Sequence, residues 1–415
     1  MYKNKNEVII TGAGVVSPVG IGIKSFLKSL KSGESGISEV SLFDITDFPI
    51  KVSGEIKNES YNEMIPLKQR RNMDRSTKFA ICSVFEALNE ANLNINSNNE
   101  RRIAIIVSTV LGGIPEALHY YDRFKTYGIK RANPYFTIFT TDIAASHIAV
   151  NFEIKGPAFS VSCGCSSGAA ALSIAFDLIN SESIDAVIVC GTETPINKAV
   201  IAPLYMSKVL STDFEEPQLI SRPFDIKHNG FVISEGAGTI ILESKRSFLT
   251  HSCNPYAYLL GYGCSTDTFS VNYSSKTPQE MINSMNMALK NSKVKPHEVD
   301  YINAYANSCS HSDNLEANAI SSIFDNKNCH LLVNSTKSLI GHSLGASSII
   351  ETIATLLELK HDFIHPNLNY NNPDPNGNIN KFIAKNTIQK NINIALKNSF
   401  SFGNRNYSLV FKKFN

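Results

Sequence analysis

The sequence predicts an α/β protein with layered sheets, organised as two related halves. Short apolar, β-branched runs at 7–11 (Glu-Val-Ile-Ile-Thr), 103–108 (Ile-Ala-Ile-Ile-Val-Ser) and 186–190 (Ala-Val-Ile-Val-Cys) have the length and composition of buried strands. Helical stretches at 22–31, 76–92, 165–181 and 343–359 alternate with them, which is the order of a layered α/β architecture. The chain also repeats itself faintly. Thr11-Gly12-Ala13-Gly14-Val15-Val16-Ser17 is echoed by Leu260-Gly261-Tyr262-Gly263-Cys264-Ser265, and the turn and helix at Cys165 by those at Lys337 to His342. With 415 residues and 43% apolar content the chain can bury a sizeable core. The expected halves are 1–252 and 253–415, the second starting after Leu242-Glu243-Ser244.

Taken in order, the first strand runs into Gly12-x-Gly14, which mimics a dinucleotide-binding turn. The third glycine position is Ser17 and Pro18 follows, which spoils the close helix packing that motif requires, so the reading is rejected. Leu111-Gly112-Gly113, after the strand at 103–108, is a backbone turn rather than a phosphate cradle. Next comes Val161-Ser162-Cys163-Gly164-Cys165-Ser166-Ser167-Gly168-Ala169-Ala170-Ala171-Leu172, a small-residue turn running straight into a helix. Cys165 is expected at that helix's N-terminal cap. Unpaired amide N–H groups and the positive end of the helix dipole stabilise a thiolate there, and the small neighbours admit an acyl thioester. That setting suits a nucleophile; the plain alternative is a buried core cysteine. The Asn/Pro-rich stretch 371–379 reads as an ordered loop.

Composition narrows the function classes. No apolar run approaches bilayer-spanning length, and Met1 to Asn6 are polar with no signal-type apolar core behind them, so cytoplasmic residence is expected, with no membrane partner. Eight cysteines, at 82, 163, 165, 190, 253, 264, 309 and 329, lack the spacing of a disulfide framework, and Cys163-Gly164-Cys165 has no second pair at zinc-ligand spacing, so no metal is expected. A net charge of +2, from 39 basic and 37 acidic residues, gives no global field for nucleic acid. Local basic patches are Lys68, Arg70 and Arg71, and Lys125, Lys130 and Arg131. The absence of Trp and the abundance of Asn, Lys and Ile look like genomic base bias.

Further blocks follow at Asp300-Tyr301-Ile302-Asn303-Ala304-Tyr305-Ala306-Asn307-Ser308, Asn334-Ser335-Thr336-Lys337-Ser338-Leu339-Ile340-Gly341-His342-Ser343-Leu344-Gly345-Ala346, and Asn398-Ser399-Phe400-Ser401-Phe402-Gly403-Asn404-Arg405-Asn406. In order and spacing these resemble the β-ketoacyl-acyl-carrier-protein synthases, the condensing enzymes of fatty acid and polyketide assembly. The resemblance runs from Val8 through Ser221-Arg222-Pro223-Phe224-Asp225 and Gly230-Phe231-Val232-Ile233-Ser234-Glu235-Gly236-Ala237-Gly238 to the C-terminus. It implies a thiolase-like fold of five layers, αβαβα, each half supplying one mixed sheet and one buried helix. It also implies Cys165 as nucleophile, its own amide and that of Phe402 as oxyanion donors, His342 as the second active-site histidine, and Lys337 with Glu351 as a charged pair orienting that histidine and ordered water. No bound cofactor is implied; phosphopantetheine-linked acyl groups would arrive on an acyl carrier protein, met by the basic residues.

The sequence departs from that pattern at Tyr305, where the first active-site histidine should fall. A tyrosine donates one hydrogen bond, but it is bulkier and, with an ordinary pKa of about 10, a poor partner for proton exchange near neutrality. The threonines that grip the phosphopantetheine arm are replaced by Asn307 and Cys309. Cys163-Gly164 stands where Thr-Ala is usual, and the glycine-rich gating loop carries Asn404-Arg405. Together these predict a ketosynthase-like subunit of the chain-length-factor kind, which pairs with a complete ketosynthase and shapes the end of its acyl tunnel. Retention of Cys165 departs from the glutamine often found in such subunits. On this reading Ile114, Leu118 and Tyr121, at i, i+4 and i+7 after Gly112-Gly113, set the tunnel's end, the alternative being interface packing. Two rival readings are an active condensing enzyme with a Cys-Tyr-His site and a non-decarboxylating acyltransferase or cyclase.

Overall fold

The computed structural model describes residues 7–70, 73–131, 141–213, 216–270, 275–325 and 330–414. Its main sheet runs through β1 (Val8–Ser17), β2 (Ile103–Ser108), β3 (Ala158–Val161), β4 (Ala186–Glu193), β5 (Gly236–Ser244), β6 (Ala257–Thr266), β7 (Tyr301–Asn303), β8 (Leu332–Asn334), β9 (Ile394–Phe400) and β10 (Arg405–Lys413). In space their order is β8-β7-β9-β10-β6-β1-β5-β4-β2-β3.

That order contains the same five-strand pattern twice. The first strand of each half lies antiparallel to the last, β1 to β5 and β6 to β10, and the last lies antiparallel to β4 or β9. Two parallel pairings complete each half, β4-β2-β3 and β9-β7-β8. The sequence suggested a separate sheet per half. Instead the two are joined through β1 and β6, although only Ile9–Tyr258 and Ile10–Ala257 pair across the seam.

Four helices complete the layers that position the site: α1 (Arg75–Ala91), α2 (Ser167–Asn180), α3 (Gln279–Ser292) and α4 (Leu344–His361). On the outside, α1 covers β1, β5 and β4, and α3 covers β6 and β10. Between the two half-sheets lie α2 and α4, each touching strands of both halves. Burial on every side explains why α4 is buried continuously from Leu344 to Leu359 rather than along one stripe. This is the thiolase-like five-layer arrangement.

The glycine echo noted in the sequence has a packing cause. β1 continues through Gly12 and Gly14 instead of turning there. A Cβ at Gly12 would lie 2.1 Å from the Ala87 carbonyl oxygen, and one at Gly14 2.0 Å from that of Ser83, so only glycine lets α1 settle on the strand. Gly263 plays the same part in the second half, 2.2 Å from the Ser284 carbonyl oxygen of α3. The loop at 371–379 is tied down where Asn371 and Asn372 donate their backbone N–H groups to Asp225, both at 2.7 Å. Among the described residues no helix is long and apolar enough to cross a membrane.

Candidate active site

Cys165 and His342 lie just ahead of the two central helices. Sequence reasoning began the first helix at Cys165; it begins at Ser167, with Ser166 in the cap position. Gly164, at φ 62°, turns the chain so that Ser167 donates its N–H to the Gly164 carbonyl at 3.0 Å, leaving Cys165 one step outside the cap. The thiol nonetheless faces the positive end of α2. The two helices cross at Gly168, where a Cβ would meet Ile349 Cγ1 and Ser348 Cβ, each at 2.8 Å. Ser348 also donates its hydroxyl to the Cys165 carbonyl at 3.0 Å, so packing of α2 on α4 fixes nucleophile and histidine relative to each other.

Tyr305, on the loop after β7, enters between them. Its Oη is 3.4 Å from His342 Nε2, and its hydroxyl acts on the ionisation of the Cys165 thiol, which packs in the same buried cluster. Asn307 donates Nδ2–H to the same phenol oxygen at 3.3 Å. Its amide is held the right way round because Asn307 Oδ1 accepts Cys309 N–H and the Ser312 hydroxyl, both at 3.2 Å. Ser347 Oγ lies 2.8 Å from His342 Nδ1 and already accepts Ser343 N–H at 3.0 Å. It can therefore give its own proton to Nδ1, leaving the imidazole proton on Nε2, facing Tyr305. With two N–H groups then donated to Oη, the phenol proton is free to go to Cys165. The Phe402 amide likewise favours the Cys165 thiolate.

Behind Tyr305 lies a buried charge cluster. Lys337 donates Nζ–H to the Tyr305 carbonyl at 2.8 Å, stands 4.4 Å from the centre of its ring and pairs with Glu351. Lys397 pairs with the other Glu351 oxygen at 2.7 Å. The Tyr305 and Ala306 backbone N–H groups are accepted by Glu316 at 3.0 and 2.8 Å. The lysine–glutamate pair therefore grips the backbone of position 305, whereas the imidazole of His342 is oriented by Ser347 and by an edge contact with Phe231, with ring centres 4.9 Å apart.

Burial dominates the ionisation of all three central groups. It pushes the Tyr305 phenol well above its usual 10, with the Cys165 charge adding to the effect. It raises the Cys165 thiol as well, against the hydrogen bonds from Tyr305 and Phe402 and the charge of Lys337. Burial, then the Lys337 and Lys397 charges, hold His342 well below 6.5. The resting pocket contains neutral thiol, neutral phenol and neutral imidazole.

Residues 5–247 match the family described as "Beta-ketoacyl synthase, N-terminal domain" and residues 256–371 the corresponding "Beta-ketoacyl synthase, C-terminal domain". The chain belongs to the β-ketoacyl synthase family. It is 33% identical over 416 residues to a 3-oxoacyl-[acyl-carrier-protein] synthase 2 of Staphylococcus aureus (strain COL), covering 100% of both chains. Among solved structures it resembles "AntDE:AntF (apo): type II PKS acyl-carrier protein in complex with its ketosynthase bound to the hexaketide", with TM-score 0.88, 26% identity and coverage of 99% of this chain and 100% of that one. "The ishigamide ketosynthase/chain length factor" superimposes with TM-score 0.89 at 24% identity, over 99% of this chain and 100% of that one, a likeness of fold alone.

The remaining sequence-predicted residues of this ketosynthase-family chain fall in several places. Ile114, Leu118 and Tyr121 share one side of the helix Ile114–Tyr127, and all three are exposed, at 41%, 40% and 48%. Phe402 is half-exposed at the rim, and Arg405 is exposed at the start of β10, where its charge acts on Cys163 rather than on the Cys165 thiol. Lys68, Lys125 and Lys130 are exposed, while Arg70 turns its Nε–H to the Ile65 carbonyl at 2.5 Å. Arg71 and the Arg131 side chain lie outside the described residues.

Sequence reasoning missed three participants in this ketosynthase site. Lys397 is the one charged residue of the strand Ile394–Phe400, a visible signal of a buried partner. Ser347 carries no such signal. Glu193, whose carboxyl burial raises to about 7, accepts Val110, Leu111 and Gly345 N–H groups at 2.6, 3.0 and 3.1 Å and so ties the 109–113 turn to the start of α4.

Proposed function

We propose that this β-ketoacyl synthase family member is a ketosynthase-like subunit of the chain-length-factor kind, working in the cytoplasm beside a complete ketosynthase in polyketide or fatty-acid-like chain assembly. The observation that carries the reading is the Tyr305 hydroxyl lodged between Cys165 and His342. Decarboxylative condensation needs two neutral donors converging on the malonyl thioester carbonyl, with room for it beside the thiol. Here one donor is a phenol, and it occupies that room. Removing a single such donor costs on the order of 100- to 1,000-fold in acyl-transfer chemistry. The basic side chains of Lys68, Arg70, Lys125 and Lys130 suit an acidic acyl carrier protein delivering phosphopantetheine-linked chains, and the exposed row Ile114, Leu118 and Tyr121 suits a partner subunit whose tunnel it would close. Co-expression with a complete ketosynthase, followed by size analysis and product profiling, tests the proposal. A stable heterodimer in which Tyr121→Ala lengthens the product is expected; two separate homodimers would refute it.

A second reading has its own support. Cys165 keeps the Tyr305 hydroxyl and the Phe402 amide as groups that favour its thiolate, together with the nearby helix terminus, the setting of an acyl acceptor. Transfer of an acyl group to Cys165 without decarboxylation, as in an acyltransferase or cyclase, needs no imidazole at position 305. Mass spectrometry after incubation with an acyl-carrier donor distinguishes the readings, since an acyl adduct on Cys165 supports the second.

A further inference from the structure

We infer that Lys397 is a positioning residue of this site: by clamping Glu351 from the side opposite Lys337, it keeps Lys337 under Tyr305 and turns a second positive charge towards His342. The geometry has two parts. Glu351, on α4, presents one carboxylate oxygen to Lys337 and the other to Lys397 at 2.7 Å, and all three side chains are almost wholly buried. With both oxygens occupied the carboxylate cannot rotate, so Lys337 keeps its hold on the Tyr305 carbonyl. The Lys397 ammonium also donates to the carbonyl of Asn398, whose side-chain Nδ2–H reaches Glu316 at 3.0 Å, the carboxylate that accepts the Tyr305 and Ala306 N–H groups. The strand bearing Lys397 therefore holds position 305 by two routes, one through charge and one through the backbone.

The charge balance follows from the same contacts. Facing the His342 ring are the neutral Tyr305, Phe231 and Ser347, with Asn307 bonded to the Tyr305 hydroxyl. Among the described residues, the charges behind the ring are Lys337, Lys397 and Glu351, with Glu316 on the far side of the Tyr305 backbone, while the buried Glu193 carboxyl, raised to about 7, accepts Gly345 N–H at the start of α4. Lys337 and Lys397 flank Glu351, with Glu316 beyond Lys397, and both cations act against protonation of His342. Without Lys397 the Lys337–Glu351 pair would be neutral, and protonated imidazole would lose one of its two repulsive neighbours.

The role stands apart from the chain-length-factor reading, because it concerns a ring's proton rather than a partner or product. It is tested by NMR titration of histidine-labelled protein, with the His342 signal assigned from its loss in His342→Gln. In the wild type the imidazole is expected to titrate well below its ordinary 6.5. Lys397→Gln should move its titration upward by about one pH unit or more, and Lys397→Arg should restore the wild-type behaviour. A folded Lys397→Gln variant whose imidazole behaves as in the wild type would overturn the inference. So would an Arg variant that shifts as much as the Gln variant. Failure of Lys397→Gln and Lys397→Met alike to fold, with Lys397→Arg folded, would assign the residue to stability alone and also overturn it.

Discussion

Tyr305 Oη lies 3.4 Å from His342 Nε2, and the same hydroxyl favours the thiolate of Cys165, so a single phenol acts on both nucleophile and histidine. Its position is over-determined. Asn307 donates to the oxygen, Lys337 takes hold of the residue's carbonyl, and Glu316 accepts its N–H. Tyr305 therefore belongs to a built network, and the replacement of the usual threonine by Asn307 supports it rather than being an unrelated loss.

The first consequence concerns thiol reactivity. The Tyr305 hydrogen bond acts to lower the Cys165 thiol against a larger upward push from burial. Tyr305→Phe removes that donor, so the thiolate fraction at a given pH should fall. Alkylation of Cys165 by iodoacetamide near pH 8 is expected to slow by about three- to tenfold, the worth of one hydrogen bond of roughly 1 kcal/mol.

Asn307 offers a finer test of the same network. Asn307→Thr removes an amide N–H from the phenol oxygen while keeping a small polar side chain. A smaller slowing of alkylation than in Tyr305→Phe, about twofold, is expected by the same assay.

The crossing of the central helices should be intolerant of a single added carbon. Gly168→Ala brings a methyl to 2.8 Å from Ile349 Cγ1 and Ser348 Cβ, in a layer buried on both faces. We expect destabilisation of about 1–3 kcal/mol in denaturant melts, with loss of Cys165 alkylation selectivity as the helices shift.

A pH effect on stability is expected far from the pocket. His228 is buried with Nδ1 3.2 Å from Asp313 and Nε2 2.9 Å from Asp374. Burial opposes its charge, but the two carboxylates outweigh burial and raise its pKa above 6.5. A raised folded-state value means the contribution is fully present below about pH 6.5 and is lost as pH rises through that raised value. The melting temperature should fall over that alkaline interval, and His228→Gln should flatten the dependence. Asp313 also accepts the Asn307 and Ser308 N–H groups at 2.9 and 3.1 Å, so the loss would loosen the loop beside Tyr305.

Much of this was legible beforehand. The strand at 103–108 and the helices 22–31, 76–92 and 343–359 were visible because periodicity and β-branching report local preference, and they sit at Ile103–Ser108, Ile23–Ser32, Arg75–Ala91 and Leu344–His361. Cys165, His342, Lys337 and Glu351 were legible through their motif context. The start of α2 was misplaced because the left-handed Gly164 turn, not propensity, decides where that helix begins. The joining of the two half-sheets depends on two residue pairs that no local pattern encodes. Lys397 and Ser347 escaped for a similar reason: their partners, Glu351 and His342, meet them only through the packing of α4.

Carbon dioxide release from malonyl-acyl-carrier protein, measured with the purified chain alone and with its Tyr305→His variant, tests the central claim most directly. The account predicts background release from the wild type and a gain on the order of 100-fold or more when an imidazole replaces the phenol. Rapid release by the wild-type chain alone would contradict it.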